Sequence, residues 1–269
     1  MLTHAHSLPA SGTGFPEFAD QAANQAARTA DVTWLVAEET PVAFEYNGRS
    51  HAVMMATPAD LEDFALGFSL CEEIVGSAAD IDRVDVRPVE DGIVLSIEAD
   101  PLRLLRGSLR RRSMEGRSGC GLCGVDSLAN AVREPPRVTA GFTPSVEAVA
   151  AAFTALPDHQ PMNRANRSLH AAAWAGPDGR IVMAREDVGR HNALDKLAGA
   201  LARAGIDPSG GFAVMSSRCS FELVQKAATI GIPMLATISA PTALALKLAR
   251  AAGMTLAARA RGNGVMLFR

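Results

Sequence analysis

From Thr143 onward the chain alternates strand and helix patterns, and this alternation limits the fold more than any other feature. Thr143-Pro144 opens a helix running to about Leu156. Leu169–Ala175 and Arg180–Ala184 flank the turn Pro177-Asp178-Gly179 and read as a hairpin. A helix follows with Ala193, Leu194, Leu197, Ala198 and Leu201 on one face, ended by Gly205. Phe212–Met215 reads as a buried strand, Phe221–Ile230 as a helix and Pro233–Ile238 as a strand. Pro241–Ala252 reads as a helix stopped by Gly253, and two short strands end the chain. Such alternation predicts an α/β sheet covered by helices on both faces.

The first hundred residues follow another rule. Residues 1–30 are rich in Ala, Ser, Gly, Gln and Asn without apolar periodicity, and are predicted to be a disordered tail. Thr33–Val36 and Val42–Tyr46 read as strands, Asn47-Gly48 as a hairpin turn and His51–Ala56 as the returning strand. Thr57 is predicted to cap a helix with Pro58 in its first turn, and Leu61, Phe64, Ala65 and Phe68 give its apolar face. Val84–Arg87 and Gly92–Ile97 make a second strand pair around Glu90-Asp91-Gly92. The expected organisation is a tail over 1–30, a small α+β domain over 31–112 and an α/β domain over 113–269. The stretch from Arg133 to Arg137, with Pro135-Pro136, reads as a connector within the last of these.

Between these patterns lies Ser118-Gly119-Cys120-Gly121-Leu122-Cys123-Gly124. Two thiols at this spacing can hold a metal, cycle as a disulfide or carry sulfur. A zinc knuckle needs four ligands, and the other two cysteines, Cys71 and Cys219, are isolated and read as small buried hydrophobes. A thioredoxin-like pair starts a helix, which the flanking glycines disfavour. A sulfur-carrying loop suits those glycines, and the residues alone leave these last two readings open. The preceding run Arg103, Arg106, Arg110, Arg111, Arg112 and Arg117 is opposed only by Glu115, and nearby positive charge favours the reactive thiolate.

Three segments are candidates for holding an anion. Arg185-Glu186-Asp187-Val188-Gly189-Arg190-His191-Asn192-Ala193-Leu194-Asp195-Lys196 joins a strand to a helix start, with Arg190, His191 and Lys196 supplying positive charge. The plainer alternative is capping by Asp187 and a solvated helix face. Ser216-Ser217-Arg218-Cys219-Ser220-Phe221-Glu222 repeats the arrangement, with Ser217 and Arg218 as candidate contacts. Arg259-Ala260-Arg261-Gly262-Asn263-Gly264 would fit a nucleotide phosphate or base, or would be an ordinary hairpin turn. In α/β sheets ligands bind at the carboxyl ends of strands, where such loops lie. Trp34 and Trp174 read as core.

The net charge of −3 over 269 residues gives no global attraction to nucleic acid or membrane. Four cysteines in a chain of this length are not a disulfide framework. No segment approaches the ~20 apolar residues of a membrane span, and no secretory signal is visible at the N-terminus. A reducing cytoplasm is the expected compartment.

These segments resemble the FdhD family of formate dehydrogenase accessory sulfur carriers, from about Glu38 to the C-terminus. The resemblance rests on Glu39-Thr40-Pro41-Val42, Tyr46-Asn47-Gly48, His51–Pro58 and Asp60–Phe68. It continues through the C-x-x-C pair, Arg185–Lys196, Ser220–Lys226 and Ser239-Ala240-Pro241-Thr242. It implies that a cysteine desulfurase passes sulfur to Cys120 as a persulfide, with Cys123 assisting or relaying. It further implies binding of a molybdenum cofactor with two guanine dinucleotides as cargo, with Arg259, Ala260, Arg261, Gly262, Asn263 and Gly264 in the binding segment. Sulfur then passes to the metal, and the cofactor goes to apo-formate dehydrogenase. The implied fold is a cytidine-deaminase-like three-layer domain with a smaller N-terminal domain, assembled as a homodimer, with no structural metal. Three positions depart from the family pattern: Asn166–Leu169 where a Thr-Gly-Gly-like stretch is usual, Ser217 in place of glycine, and Arg259 in place of phenylalanine. The zinc signature of the deaminases is absent, and Gly119 stands before Cys120 where that signature has proline.

Overall fold

We describe the protein from a computed structural model, in which residues 10–13, 33–104, 134–139, 144–260 and 264–268 are described. It is a mixed α/β structure built on two main sheets. The first sheet holds β3 (Thr40–Tyr46), β4 (Arg49–Ala56), β5 (Ile81–Val89) and β6 (Gly92–Ala99) in the order β4-β3-β6-β5. Alternation along β3 buries Val42, Phe44 and Tyr46 on one face. Against that face lies α1 (Leu61–Cys71), which brings Phe64 and Phe68 onto Phe44 with ring centroids 5.0 and 4.2 Å away.

The second sheet has six strands. They are β7 (His170–Ala175), β8 (Ile181–Asp187), β9 (Phe212–Met215), β10 (Met234–Thr237), β11 (Thr255–Arg259) and β12 (Val265–Phe268), in the order β12-β11-β10-β9-β7-β8. Strands β9, β10 and β11 are parallel. Because β7 is antiparallel to both β8 and β9, β8 runs in the same direction as these three. One face packs on α4 (Arg190–Arg203), α5 (Phe221–Thr229) and α6 (Ala243–Ala252) through Ala172, Trp174, Met215, Leu235 and Leu256. The other face packs on α2 (Val146–Ala155), whose Val149, Ala152 and Phe153 meet Ala173, Val214 and Ala236. The expected cover on both faces is therefore present. A short helix, α3 (Pro161–Asn166), precedes β7.

Most of the expected elements are found with ends moved by a few residues. Ala10–Thr13, within the stretch expected to be a tail, forms β1 and pairs antiparallel with β2 (Thr33–Val36). Strand pairing uses backbone groups and needs no apolar periodicity, so composition does not reveal it. The boundary expected between 112 and 113 lies outside the described residues. Thr57 does not cap α1, which begins at Leu61 after Asp60 in a left-handed conformation. Thr57 is used elsewhere, as described below.

Helix α4 is the centre of the molecule. Every residue from His191 to Leu201 is buried, between the six-stranded sheet and α1. The close crossing is set by glycine on both sides. A Cβ on Gly67 would lie 1.6 Å from the Asp195 carbonyl oxygen, and one on Gly199 would lie 1.9 Å from the Asp63 carbonyl oxygen. Only glycine permits backbones to approach this closely.

Candidate functional site

The strand directions bring the carboxyl ends of β8, β9, β10 and β11 to one edge of the six-stranded sheet, together with the starts of β7 and β12. The edge therefore gathers His170, the Asp187–His191 turn, Ser216–Ser220, Ser239–Pro241, and Arg259, Ala260 and Gly264. Parts of the three candidate anion segments meet there: Gly189–His191 from the first, Ser216–Ser220 from the second, and Arg259, Ala260 and Gly264 from the third.

The loops of this edge are fastened by backbone and hydroxyl groups. Ser216 Oγ accepts from the Ala171 amide at 2.8 Å, and the Ser217 hydroxyl donates to the Arg218 carbonyl at 2.9 Å. The Ser239 amide donates to the Ser217 carbonyl at 3.3 Å, and the Thr242 amide to the Cys219 carbonyl at 3.0 Å. The serine hydroxyls thus hold the loop in place, whereas the neighbouring Arg218 is exposed. The Ala260 amide donates to the Gly264 carbonyl at 2.7 Å, closing the turn after β11, where Arg259 is also exposed. Arg261, Gly262 and Asn263 lie outside the described residues.

At the start of α4, Arg190 is half-buried and His191 is buried. His191 Nε2 is 3.3 Å from Ser220 Oγ and 3.9 Å from Glu222 Oε2. Across the edge, His170 is held below the ordinary histidine range, first by burial and then by the Arg190 charge, with Asp187 opposing.

The rest of the Arg185–Lys196 block faces inward. The solvated helix face offered as its plainer alternative is absent, and Lys196 is not available to an anion. Lys196 Nζ sits 2.6 Å from Asp187 Oδ2, with both side chains fully buried, and donates to the Thr57 carbonyl at 2.8 Å. Asp187 also accepts from the Thr57 and Gly189 amides at 3.0 and 2.8 Å and from Asn192 Nδ2 at 2.9 Å. Thr57 Oγ1 in turn accepts from the Val188 amide at 3.0 Å. Arg185 Nε and Arg203 Nη1 each donate to Asp63 at 2.8 Å. Glu186 accepts from the Met162 and Asn163 amides at 2.9 and 2.8 Å, satisfying the first turn of α3. The block is a clasp between the two sheets, and its outer end alone, Gly189 to His191, reaches the edge.

Sequence reasoning passed over Glu222 and Asp63 as individual residues. For Glu222 a signal existed. His191 and Asp195 are spaced i,i+4, as are Glu222 and Lys226, which places each pair on one helix face. Asp63 gave none, because its partners are more than a hundred residues away.

The C-x-x-C pair, Cys120 and Cys123, lies outside the described residues, as do Arg106, Arg110, Arg111, Arg112 and Arg117. Arg103 is described and is committed elsewhere. Its Nη1 lies 2.8 Å from Asp80 Oδ1, and this contact is the main reason Asp80 titrates below the usual carboxylate range. Arg103 thus forms a surface ion pair with Asp80. Cys71 and Cys219 are free and buried, and burial pushes the Cys219 thiol up to about 12. Both fit the expectation of small apolar side chains.

A family model described as the FdhD/NarQ family matches residues 37–269. The chain belongs to this family. It is 52% identical over 241 residues to the sulfur carrier protein FdhD of Xanthomonas euvesicatoria pv. vesicatoria, covering 90% of this chain and 86% of that one. The sulfur carrier protein FdhD of Bordetella bronchiseptica is 52% identical over 233 residues, covering 87% of this chain and 84% of its own. Among solved structures, a protein from Desulfotalea psychrophila described as a formate dehydrogenase accessory protein superposes with a TM-score of 0.67. It covers 88% of this chain and 90% of its own at 24% identity. That last likeness establishes the family fold. Among the described residues no helix is long and apolar enough to cross a membrane.

Proposed function

We propose that this protein is a sulfur carrier required for formate dehydrogenase activity. The observation that carries the reading is the near-full-length identity to proteins named as sulfur carriers, in a chain that has the Cys120–Cys123 pair. In this reading the Cys120 thiolate attacks the outer sulfur of a cysteine desulfurase persulfide. The sulfur–sulfur bond of the donor breaks, the donor cysteine leaves as a thiolate, and Cys120 holds the transferred sulfur. Cys123 then attacks the inner sulfur of that persulfide. The outer sulfur leaves as hydrosulfide, carrying off two electrons drawn from the two cysteines, which are left oxidised as a Cys120–Cys123 disulfide. Cellular thiols reduce that disulfide for the next round.

The acceptor in this reading is a molybdenum cofactor bearing two guanine dinucleotides, which is cargo on its way to apo-formate dehydrogenase. Its anionic nucleotide ends would meet the carboxyl edge, at Arg190, His191, Ser217, Arg218 and the turn from Arg259 to Gly264. The support is topological: several loops with exposed arginines and helix starts converge on one edge, the place where α/β sheets bind ligands. We place this edge on a domain of the cytidine-deaminase type, in a cytoplasmic homodimer.

Mass spectrometry of the protein after incubation with a desulfurase and cysteine tests the reading. The expected result is a gain of one sulfur on Cys120, lost in Cys120→Ala, while guanine-nucleotide binding survives in that variant. A disulfide that cycles without any persulfide would instead mark a thiol oxidoreductase. Full dehydrogenase maturation by the Cys120→Ala, Cys123→Ala double variant would leave only a docking chaperone.

A further inference from the structure

Helices α4 and α5 meet along a seam that carries charge where two sheet-packed helices ordinarily present apolar side chains. His191 and Asp195 sit one turn apart on α4, and Glu222 and Lys226 sit one turn apart on α5. The deeper rung is closed. Lys226 Nζ donates to the two Asp195 oxygens at 2.8 and 2.9 Å and to Glu72 Oε1 at 2.9 Å. The outer rung, at the carboxyl edge, is made differently. Glu222 Oε2 is buried, accepts no hydrogen bond, and has His191 Nε2 at 3.9 Å. A buried carboxylate oxygen without a donor is costly unless a cation stands against it. Lys226 is committed to Asp195 and Glu72, and among the described residues the imidazole of His191, 3.9 Å away, is the group that can supply that charge.

We infer that Glu222 is a positioning residue for the anion edge: it keeps His191 in the imidazolium form, so that an anionic cargo meets a fixed positive charge at pH values where a free histidine is neutral. The inference rests on the nucleotide reading of this edge. Other groups around His191 bear on its proton. Arg190 beside it and the amides at the start of α4 disfavour the charge. His170 stands across the edge from Arg190, and burial and the Arg190 charge shift it toward its neutral form. Asp187 is saturated by Lys196, Asn192 and two amides, and Asp195 by Lys226. Glu222 therefore brings the uncompensated negative charge near the ring among the described carboxylates, and Ser220 Oγ at 3.3 Å can accept the Nε2 proton. A carboxylate beside an imidazole favours the imidazolium, most strongly when both are shielded from water.

The test begins with the wild-type chain and needs no ligand. Its six histidines are followed by NMR across pH, with His191 assigned from a His191→Gln sample. The expected midpoint for His191 lies above the ordinary value of about 6.5. It should fall by about one unit in Glu222→Gln. A wild-type midpoint at or below that ordinary value overturns the inference, and so does a midpoint that Glu222→Gln leaves in place. The second arm measures GDP affinity of Glu222→Gln relative to wild type, a ratio that cancels the titration of the nucleotide itself. The deficit should be roughly three- to tenfold near pH 8 and should vanish near pH 5.5, where bulk solvent protonates the ring. It should also be absent when Glu222→Gln is made in the His191→Gln background. A deficit independent of pH would mark a merely structural effect and overturn the inference. If GDP binds the wild-type chain at no pH, the nucleotide reading of the edge falls, and the role given to Glu222 falls with it. A low midpoint with normal GDP binding overturns the pairing alone.

Discussion

Asp187 and Lys196, 2.6 Å apart and fully buried, grip the same residue from both sides: the Thr57 amide donates to Asp187 and the Thr57 carbonyl accepts from Lys196. An ion pair on α4 and β8 thus holds the connection between β4 and α1. Taking two charges out of water is expensive, and an isolated pair often gains nothing over apolar residues. Here the Asp187 carboxylate has three further donors and Lys196 a carbonyl, the condition under which such a pair is retained.

Removing one partner should therefore be severe. Lys196→Met leaves the Asp187 charge buried without its counter-ion, and we expect a loss of about 3–5 kcal/mol in urea unfolding. Asp187→Asn combined with Lys196→Met should recover part of that loss, because no bare charge remains. A double variant as unstable as the sum of the singles would show that charge neutralisation is not the cause.

The α1–α4 crossing gives a second expectation. Gly67→Ala and Gly199→Ala each place a methyl group inside backbone atoms of the facing helix. We expect each to cost at least ~3 kcal/mol, at the upper end for overpacking. Gly210→Ala meets nothing within 4 Å and should stay within about 0.5 kcal/mol of wild type. Equal thermal midpoints for all three proteins would disprove the tight crossing.

His170 links the edge to pH. Burial and Arg190 hold its folded pKa below the unfolded value of about 6.5. Between those two values the unfolded chain binds more protons, so stability rises with pH in that window. The contribution is whole above about pH 6.5 and is lost as pH falls through the folded value. The urea midpoint of wild type should accordingly drop more between about pH 7.5 and about pH 5 than that of His170→Gln. Parallel drops would rule out His170 as the group responsible.

Arg259 stands exposed at the end of β11. If the turn it opens takes an anionic nucleotide, Arg259→Ala should weaken GDP binding about tenfold or more, the usual worth of a charge-assisted contact. The deficit should shrink as salt rises. Isothermal titration at two salt concentrations measures both, and unchanged affinity at low salt would remove Arg259 from the site.

Much of the fold was legible because local chemistry and tertiary structure agree. Phe212–Met215 is a strand with the bounds its apolar run gives, and Gly253 ends α6 in the left-handed conformation expected of a stopping glycine. Thr57 misled because its hydroxyl and proline neighbour form a sound local cap signal, while its real partners lie some 130 residues away. The charges of Arg185–Lys196 suggested a wet helix face for a similar reason. Charge in a sequence implies solvent unless each residue has a partner, and the partners Thr57, Asp63 and Lys226 are distant in the chain. The gathering of three loops at one edge was foreseeable from strand direction. Which of their side chains would turn inward, as Lys196 and the Ser217 hydroxyl do, depended on contacts that no spacing encodes.

The glycine contact between α1 and α4 has a mechanical consequence. Two helices touching through Cα atoms can pivot about that point and keep it, but sliding along either axis drives a carbonyl oxygen into the opposing chain. The crossing is thus a fulcrum and not a bearing.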